Sequence, residues 1–200
     1  MKALRILLIS GFLGSGKTTL ALELARLLVE QEKRIAAVIN EVGDVGIDPD
    51  LFRDWDEVRL YELFSGCVCC QTSSDLIKTL QAITNAGNVD VLVLEPSGIA
   101  LSSQIIDTIR YWSAEVPVVN VVLVDATRFQ MLMKELEHLI TDALMNADLI
   151  VVSKVDLCGD GELQSVLERI RELRPEIPVV AGNLLSRGDK AAREVLFRIG

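Results

Sequence analysis

The chain has 200 residues, of which 50% are hydrophobic and only 4% are aromatic, and its formal net charge is −9. This length fits one α/β domain, so residues 1–200 are taken as a single domain. The negative charge argues against nucleic acid as a partner, because phosphates attract basic surfaces. The longest apolar stretch, Val116–Val124, is about half the length that a membrane-spanning helix needs. We therefore expect a cytoplasmic protein without a membrane partner.

Seven apolar runs with strand character alternate with amphipathic helical stretches. The predicted strands are Leu4–Ser10, Ile35–Ile39, Val58–Leu63, Val89–Leu94, Val116–Val124, Leu149–Ser153 and Pro178–Val180. The predicted helices include Lys17–Gln31, Asp75–Asn85, Arg128–His138 and Gly161–Leu173. This alternation predicts a mainly parallel, twisted sheet of about seven strands with helices on both faces. In such sheets ligands bind beyond the carboxyl ends of the strands, so motifs that follow strands should build one site.

The first predicted strand runs into a phosphate-binding loop, Gly11-Phe12-Leu13-Gly14-Ser15-Gly16-Lys17-Thr18, which matches G-x-x-x-x-G-K-[ST] in its strand–loop–helix context. The fold class is therefore α/β of the P-loop NTPase type. We expect Lys17 to reach the β- and γ-phosphates and Thr18 to ligate Mg²⁺. The nucleotide-binding residues predicted from this segment are Gly11, Gly14, Ser15, Gly16, Lys17, Thr18 and Thr19.

A carboxylate follows the buried strand in the middle of the chain, in Glu95-Pro96-Ser97-Gly98. Glu95 is expected to hold Mg²⁺, directly or through water, together with Thr18. Gly98 is expected to leave room for a backbone N–H to approach the γ-phosphate.

Ser153-Lys154-Val155-Asp156 ends a later strand and is similar to the guanine motif N-K-x-D. In that motif the Asp accepts hydrogen bonds from guanine, and the Lys stem lies along the base. An acceptor at this place discriminates against adenine, which would leave the carboxylate unpaired. GTP is therefore favoured over ATP. Ser153 is shorter than the usual Asn, so a weaker hold on the base is expected.

Three of the four cysteines crowd into Cys67-Val68-Cys69-Cys70. Three closely spaced thiolates suit a soft or borderline cation, with Zn²⁺ first and Co²⁺, Ni²⁺ or Cu(I) as alternatives. The other interpretations are a redox pair between Cys67 and Cys69 and a set of small buried side chains. Cys158 stands apart and is interpreted as structural. His138 is interpreted as a surface helix residue.

Taken in order, these motifs resemble those of the CobW-like GTPases, the metallochaperone branch of the SIMIBI class of P-loop proteins. The resemblance runs from about Ile6 to Asp156 and includes the segment Asn40–Asp48 and Val124-Asp125-Ala126. It implies slow, Mg²⁺-dependent GTP hydrolysis coupled to handling Zn²⁺, Co²⁺ or Ni²⁺ for a client metalloprotein or a corrinoid enzyme. A nucleotide-dependent homodimer is a further implication.

The resemblance also implies roles for the cysteine cluster and for carboxylates of the segment Asn40–Asp48. It assigns Cys67, Cys69 and Cys70 as transition-metal ligands and Glu41 as a candidate additional ligand or switch carboxylate. The predicted catalytic residues are Lys17, Glu41, Asp44 and Glu95, with Glu41 and Asp44 as candidates for orienting water.

Two other functions are compatible with the sequence. One is a nucleotide-gated activator of a corrinoid or nickel enzyme with negligible turnover. The other is a small-molecule kinase, which predicts a preference for ATP and leaves the cysteine cluster without a role.

Overall fold

The computed structural model describes residues 4–39, 58–62, 73–184 and 190–199. The strands in these ranges are β1 (Arg5–Gly11), β2 (Ile35–Ile39), β3 (Val58–Glu62), β4 (Val91–Glu95), β5 (Val118–Asp125), β6 (Leu149–Ser153) and β7 (Val179–Ala181). The α-helices are α1 (Lys17–Glu30), α2 (Ser73–Asn85), α3 (Ser102–Trp112), α4 (Phe129–Glu135), α5 (Glu137–Met145), α6 (Asp160–Leu173) and α7 (Lys190–Ile199). None of the helices in these ranges is long and apolar enough to cross a membrane.

The strands form one seven-stranded sheet in the order β3-β2-β4-β1-β5-β6-β7. Every neighbouring pair is parallel. The predicted parallel α/β architecture is therefore confirmed, with β1 near the centre of the sheet. Parallel neighbours place all carboxyl ends of the strands at the same edge, which is where the predicted motifs lie.

Several strands extend one residue further than the sequence pattern predicts. Gly11 still pairs with Leu123 of β5, and Asp125 pairs with Ser153 of β6. Glu95 likewise pairs with Ile39 of β2. Pairing continues because the neighbouring strand supplies hydrogen-bonding partners, whatever the polarity of the side chain. Polar groups of the site are thus the last residues of strands, held by the sheet itself.

The sheet is apolar on both faces, and this gives three core clusters. Alternate residues of β1 illustrate the pattern: Leu7 and Ile9 pack towards α1 and α7, whereas Ile6 and Leu8 pack towards α2 and α3. The third cluster joins β5 and β6 to α4, α5 and α6. Strands buried on both faces explain the near-continuous Val, Leu and Ile runs of the sequence.

The helices differ from the sequence pattern in two ways. The predicted helix Arg128–His138 is two helices, because the chain turns at Leu136, where φ is −134°. This turn lets both α4 and α5 pack into the same cluster beside β5. The sequence pattern did not single out α3 or α7. His138 lies exposed in the first turn of α5, which agrees with its interpretation as a surface residue.

Candidate nucleotide site

The phosphate loop spans the gap between the end of β1 and the start of α1. Gly11, Gly14 and Gly16 all have positive φ angles, of 137°, 71° and 97°. At Gly11 a Cβ atom would lie 2.4 Å from the carbonyl oxygen of Leu123, so the loop can leave the sheet here only at glycine. Gly16 is the N-cap of α1 and directs the free N–H groups of the first helical turn towards the loop. Together they form a cradle of backbone donors that suits an anion.

The amine of Lys17 lies inside this cradle. The residue is only 2% exposed, and its Nζ lies 3.4 Å from the carbonyl oxygen of Phe12. A buried ammonium group at the N-terminus of a helix is a positive charge that a phosphate group would complement. Thr18 and Thr19 follow in the first turn of α1 and are half-buried.

The two residues predicted to hold Mg²⁺ are brought together, although they are 77 positions apart in sequence. The Thr18 hydroxyl donates to Oε1 of Glu95 at 2.9 Å. Glu95 is the last residue of β4 and is fully buried. A hydroxyl and a carboxylate offer the hard oxygen ligands that Mg²⁺ prefers, so this pair fits the ion.

Gly98 packs directly against the tip of the phosphate loop. A Cβ atom at Gly98 would lie 2.6 Å from the backbone nitrogen of Leu13 and 3.0 Å from its Cα atom. Any side chain larger than hydrogen would therefore push the turn after Glu95 away from the loop. The close approach places the two backbone segments predicted to surround the γ-phosphate in contact.

The segment similar to a guanine motif is divided between the interior and the surface. Asp156 lies exposed in a short 3₁₀ helix, Val155–Leu157, where a base can reach it. Ser153 is 1% exposed, and its hydroxyl donates to the carbonyl oxygen of Ser15 at 2.7 Å. The structure therefore directs Ser153 to the backbone of the phosphate loop and away from the surface that Asp156 occupies.

Asp125, at the end of β5, organises the middle of the site. Asp125 belongs to the motifs that resemble the family, but those motifs indicate no role for it. Its side chain is 1% exposed, and Oδ2 accepts hydrogen bonds from Nζ of Lys154 and Nε of Arg128, both at 2.8 Å. Oδ1 accepts from the hydroxyl and the backbone N–H of Thr127. Only the folded chain brings these groups together, since Lys154 is 29 positions away.

The pKa of Asp125 reflects these contacts. Burial raises the pKa of this carboxyl group, but the hydrogen bonds from Lys154, Thr127 and Arg128 favour the charged form more strongly. The net result is a pKa below the ordinary value, so Asp125 is a carboxylate at neutral pH. Lys154 is itself held in the left-handed region, with φ of 58°, an uncommon conformation for a residue with a side chain.

A small apolar cavity of about 20 Å³ lies beneath the loop, between β5 and the helices α4 and α5. Gly11 and Gly98 line it on the loop side, and Phe129 and Ile140 on the helix side. This space holds roughly one water molecule. A nucleotide would therefore lie on the open edge of the sheet and not in this cavity.

Several predicted residues lie outside the described ranges. They are Glu41, Asp44, Cys67, Cys69 and Cys70. Within the described ranges, no group of three or more His, Cys, Asp or Glu side chains could hold a metal ion. The transition-metal site therefore stays a prediction from the sequence.

Cys158 lies half-buried after the 3₁₀ helix and packs against the core cluster that joins β5 and β6 to α4, α5 and α6. Burial and the neighbouring carboxylates of Glu162 and Asp156 raise the pKa of its thiol. A protonated, partly buried thiol is a poor metal ligand and a poor nucleophile. This environment agrees with the structural interpretation of Cys158.

The parallel sheet, the glycine cradle with its buried lysine and the Thr18–Glu95 pair define a P-loop nucleotide-binding protein. Comparison with known families narrows this class. The family description "CobW/HypB/UreG, nucleotide-binding domain" matches residues 5–181, and the chain belongs to that family.

Two relatives agree with this assignment, and a solved structure shares the fold. The zinc chaperone CobW of Sinorhizobium sp. is 30% identical, over 96% of this chain and 61% of that protein. The zinc chaperone YjiA of Escherichia coli (strain K12) is 33% identical, over 92% of this chain and 60% of that protein. The chain thus spans about three-fifths of the length of these relatives. The crystal structure of hydrogenase maturation factor HypB from Archaeoglobus fulgidus gives a TM-score of 0.68 at 19% identity, covering 98% of this chain and 88% of that chain, a likeness in fold.

Proposed function

We propose that this chain binds GTP with Mg²⁺, hydrolyses it slowly, and couples the nucleotide state to the binding and delivery of a transition metal. The observation that carries the nucleotide half of this proposal is the meeting of Lys17, Thr18 and Glu95 in one loop-and-strand site. The metal half rests on the cysteine cluster of the sequence and on the naming of the relatives as zinc chaperones.

Guanine is the proposed base. Asp156 is exposed in the 3₁₀ helix that follows β6, two residues after Lys154. A carboxylate there accepts hydrogen bonds from guanine but finds no donor pair of that kind on adenine. The Ser153 hydroxyl is bonded to the loop, so base selection falls to Asp156 and the stem of Lys154. Ser153 instead supports the phosphate cradle.

Mg²⁺ would be held by the Thr18 hydroxyl and by Glu95, directly or through water. When bound, the ion would neutralise charge on the β- and γ-phosphates. Lys17 would bind the same phosphates from inside the loop. The turn at Gly98 would move with the loop, because the two backbones touch. Glu41 and Asp44 remain our proposals for orienting the attacking water.

The cargo metal would be bound by Cys67, Cys69 and Cys70, with Glu41 as a candidate fourth ligand. We propose Zn²⁺ first, with Co²⁺ or Ni²⁺ as the other candidates, because thiolates suit these cations. GTP would order the segment 40–48, as γ-phosphate contacts order switch segments in other GTPases, and so complete the metal site. By linkage, the metal must then change GTP affinity by the same factor. Delivery implies a client metalloprotein or corrinoid enzyme, and a nucleotide-dependent homodimer is part of the same proposal.

The experiment is a calorimetric titration of Zn²⁺, Co²⁺ and Ni²⁺ into the reduced chain, with and without Mg²⁺ and a non-hydrolysable GTP analogue. We expect the analogue to tighten Zn²⁺ binding. The variant C67S/C69S/C70S should lose this binding, whereas the matched control C158S should keep it, because the Cys158 thiol is protonated and packed.

Two results would contradict the proposal. Equal metal affinity with and without the analogue would remove the coupling, and binding that survives the triple substitution would remove the cysteine site. Phosphate release is measured in parallel with wild type and K17A. Gated metal binding without GTP turnover in wild type would favour a nucleotide-gated binding module, and a preference for ATP would favour a kinase.

A further inference from the structure

Arg128 links the end of β5 to the tip of the phosphate loop, which lies 115 positions away in sequence. It is the residue that precedes α4. Its Nε donates to Oδ2 of Asp125 at 2.8 Å, and its Nη2 donates to the backbone carbonyl of Leu13 at 2.6 Å. Nη2 would also lie 3.1 Å from a Cβ atom at Gly14. The guanidinium group therefore lies against the tip of the phosphate loop.

The contact with Leu13 fixes the direction of the next amide. In a trans peptide the carbonyl of one residue and the N–H of the next point in opposite directions. Because Arg128 holds the Leu13 carbonyl, the N–H of Gly14 must point away from Arg128. The amides of a phosphate loop bind the phosphates, so the direction of this N–H bears on nucleotide affinity.

The Ser153 contact acts on the next part of the loop by the same geometry. Its hydroxyl holds the carbonyl of Ser15, which turns the N–H of Gly16 to the opposite side. The loop is thus held at two carbonyls, two residues apart. One is held by a short buried hydroxyl and the other by a long side chain that is 35% exposed.

Asp125 keeps Arg128 in place. The carboxylate is buried and shared with Lys154, so the guanidinium has a fixed partner at its Nε. A planar guanidinium can make both contacts because Nε and Nη2 are separate donors in a rigid fork. An ammonium group at this place could reach one partner or the other, but its single nitrogen does not reproduce the fork.

We infer that Arg128 is a positioning residue for phosphate binding, which orients the Gly14 amide through the Leu13 carbonyl and is held by Asp125. This inference rests on the proposed nucleotide-binding function and adds a residue to it. Arg128 acts on the phosphate cradle and not on the base. Its substitution should therefore weaken the binding of all nucleoside triphosphates by the same factor.

The test is a fluorescence titration of the full chain with labelled GTP analogue, GDP and ATP, for wild type, R128A, R128K and D156A. We expect R128A to lose about tenfold in affinity for every nucleotide, the effect of a lost hydrogen bond from a charged group. The ratio of GTP to ATP affinity should stay the same. D156A should change that ratio instead. R128K should have nearly the same nucleotide affinity as R128A, because lysine cannot keep the contacts with both Asp125 and the Leu13 carbonyl.

Two controls are needed: one for the loss of a positive charge and one for an effect of the substitution on folding. R171A removes one exposed arginine from α6 and should bind as wild type does. Thermal unfolding of each variant is measured beside the titration. If R128K bound nucleotide as tightly as wild type, the inference would be overturned in favour of simple charge attraction. Unchanged nucleotide affinity in R128A would also overturn it. A changed GTP to ATP ratio in R128A would also overturn it. Failure of wild type to prefer GTP would count against the proposed function alone, because the R128A comparison can be made with ATP.

Discussion

Gly98 shows how a single hydrogen atom can decide the geometry of a site. A Cβ atom there would meet the backbone of Leu13, which cannot rotate away as a side chain could. We expect G98A to displace the tip of the phosphate loop and to weaken nucleotide binding by roughly tenfold or more, the cost of disturbing one or two amide contacts. Nucleotide titration measures the effect.

The control for this substitution is Gly161, the second residue of α6, where a Cβ atom would meet nothing within 4 Å. G161A should leave nucleotide affinity unchanged and should stabilise the fold by about 0.5 kcal/mol, since alanine favours a helix. Equal behaviour of the two variants would contradict the proposed contact between the Gly98 turn and the loop.

Asp125 makes the stability of the chain depend on pH in a defined direction. Its pKa in the folded chain is below the ordinary value of 3.8, so its contacts stabilise the protein fully above that value. As the pH falls through the lower, folded pKa, the carboxylate takes up a proton and this contribution is lost. We therefore expect wild type to be more stable than D125N at pH 6 and the gap to shrink below about pH 4.

Urea unfolding of both proteins across this pH range measures the gap. D148N is unfolded in urea alongside them for comparison. Asp148 accepts a hydrogen bond from the backbone N–H of Asn120, outside the nucleotide site. A gap between wild type and D125N that does not change with pH would show that Asp125 acts through packing and not through its charge.

At the scale of elements, the C-terminus of α5 depends on one side chain from beyond α6. Arg174 donates to the carbonyls of Leu144, Met145 and Ala147 at 2.5, 2.7 and 3.1 Å. A cation at this end also complements the helix dipole. We expect R174A to lower the free energy of unfolding by about 1–2 kcal/mol and to leave nucleotide affinity unchanged.

Arg169, which lies within α6, provides the matched control. It forms an exposed pair with Glu172 at 2.8 Å, and such pairs contribute about 0–1 kcal/mol. Chemical denaturation of R169A should therefore show a smaller loss than that of R174A. If the two losses were equal, the capping role of Arg174 would be wrong.

The ends of four strands supply residues of the candidate site. Gly11, Glu95, Asp125 and Ser153 are each the last residue of a paired strand. Backbone pairing to a neighbour fixes each of them before any side chain acts. The loops that follow therefore start from fixed points.

At the scale of the whole molecule, the described core contains no metal site. Its three apolar clusters cover both faces of the sheet, and no described group of His, Cys, Asp or Glu could bind a metal ion. We expect a chelator to remove a metal ion held at the predicted cysteine site without unfolding the domain, so far-UV circular dichroism and the thermal midpoint should change little. Small zinc-dependent domains behave in the opposite way, because metal binding supplies their folding free energy.

Mg²⁺ and GTP should instead raise the thermal midpoint, because a ligand that binds only the folded state stabilises it by mass action. K17A, measured in the same scan, should lose this increase. Cooperative unfolding on addition of the chelator would contradict the prediction and would show that the predicted cysteine site supports the core.

Much of the architecture follows from the sequence, because apolar periodicity and glycine placement act locally. The seven strands and the phosphate loop follow from runs and motifs that can be read within a few residues. The meeting of Thr18 and Glu95 follows from two such motifs together with the rule that parallel strands end at one edge of the sheet. The turn at Leu136 is not visible in this way, since the apolar spacing of Arg128–His138 also suits one helix. It reflects packing of two segments into one cluster.

The roles of Asp125, Arg128 and Ser153 were decided by tertiary structure alone. Each acts through a partner that is distant in sequence: Lys154, the Leu13 carbonyl and the Ser15 carbonyl. Two of these partners are backbone atoms, which carry no signature in a sequence. The sequence by itself predicts which residues bind a nucleotide and a metal, because those predictions depend on side-chain chemistry. Only the fold determined which residues hold the phosphate loop, because that depends on distance between strand ends.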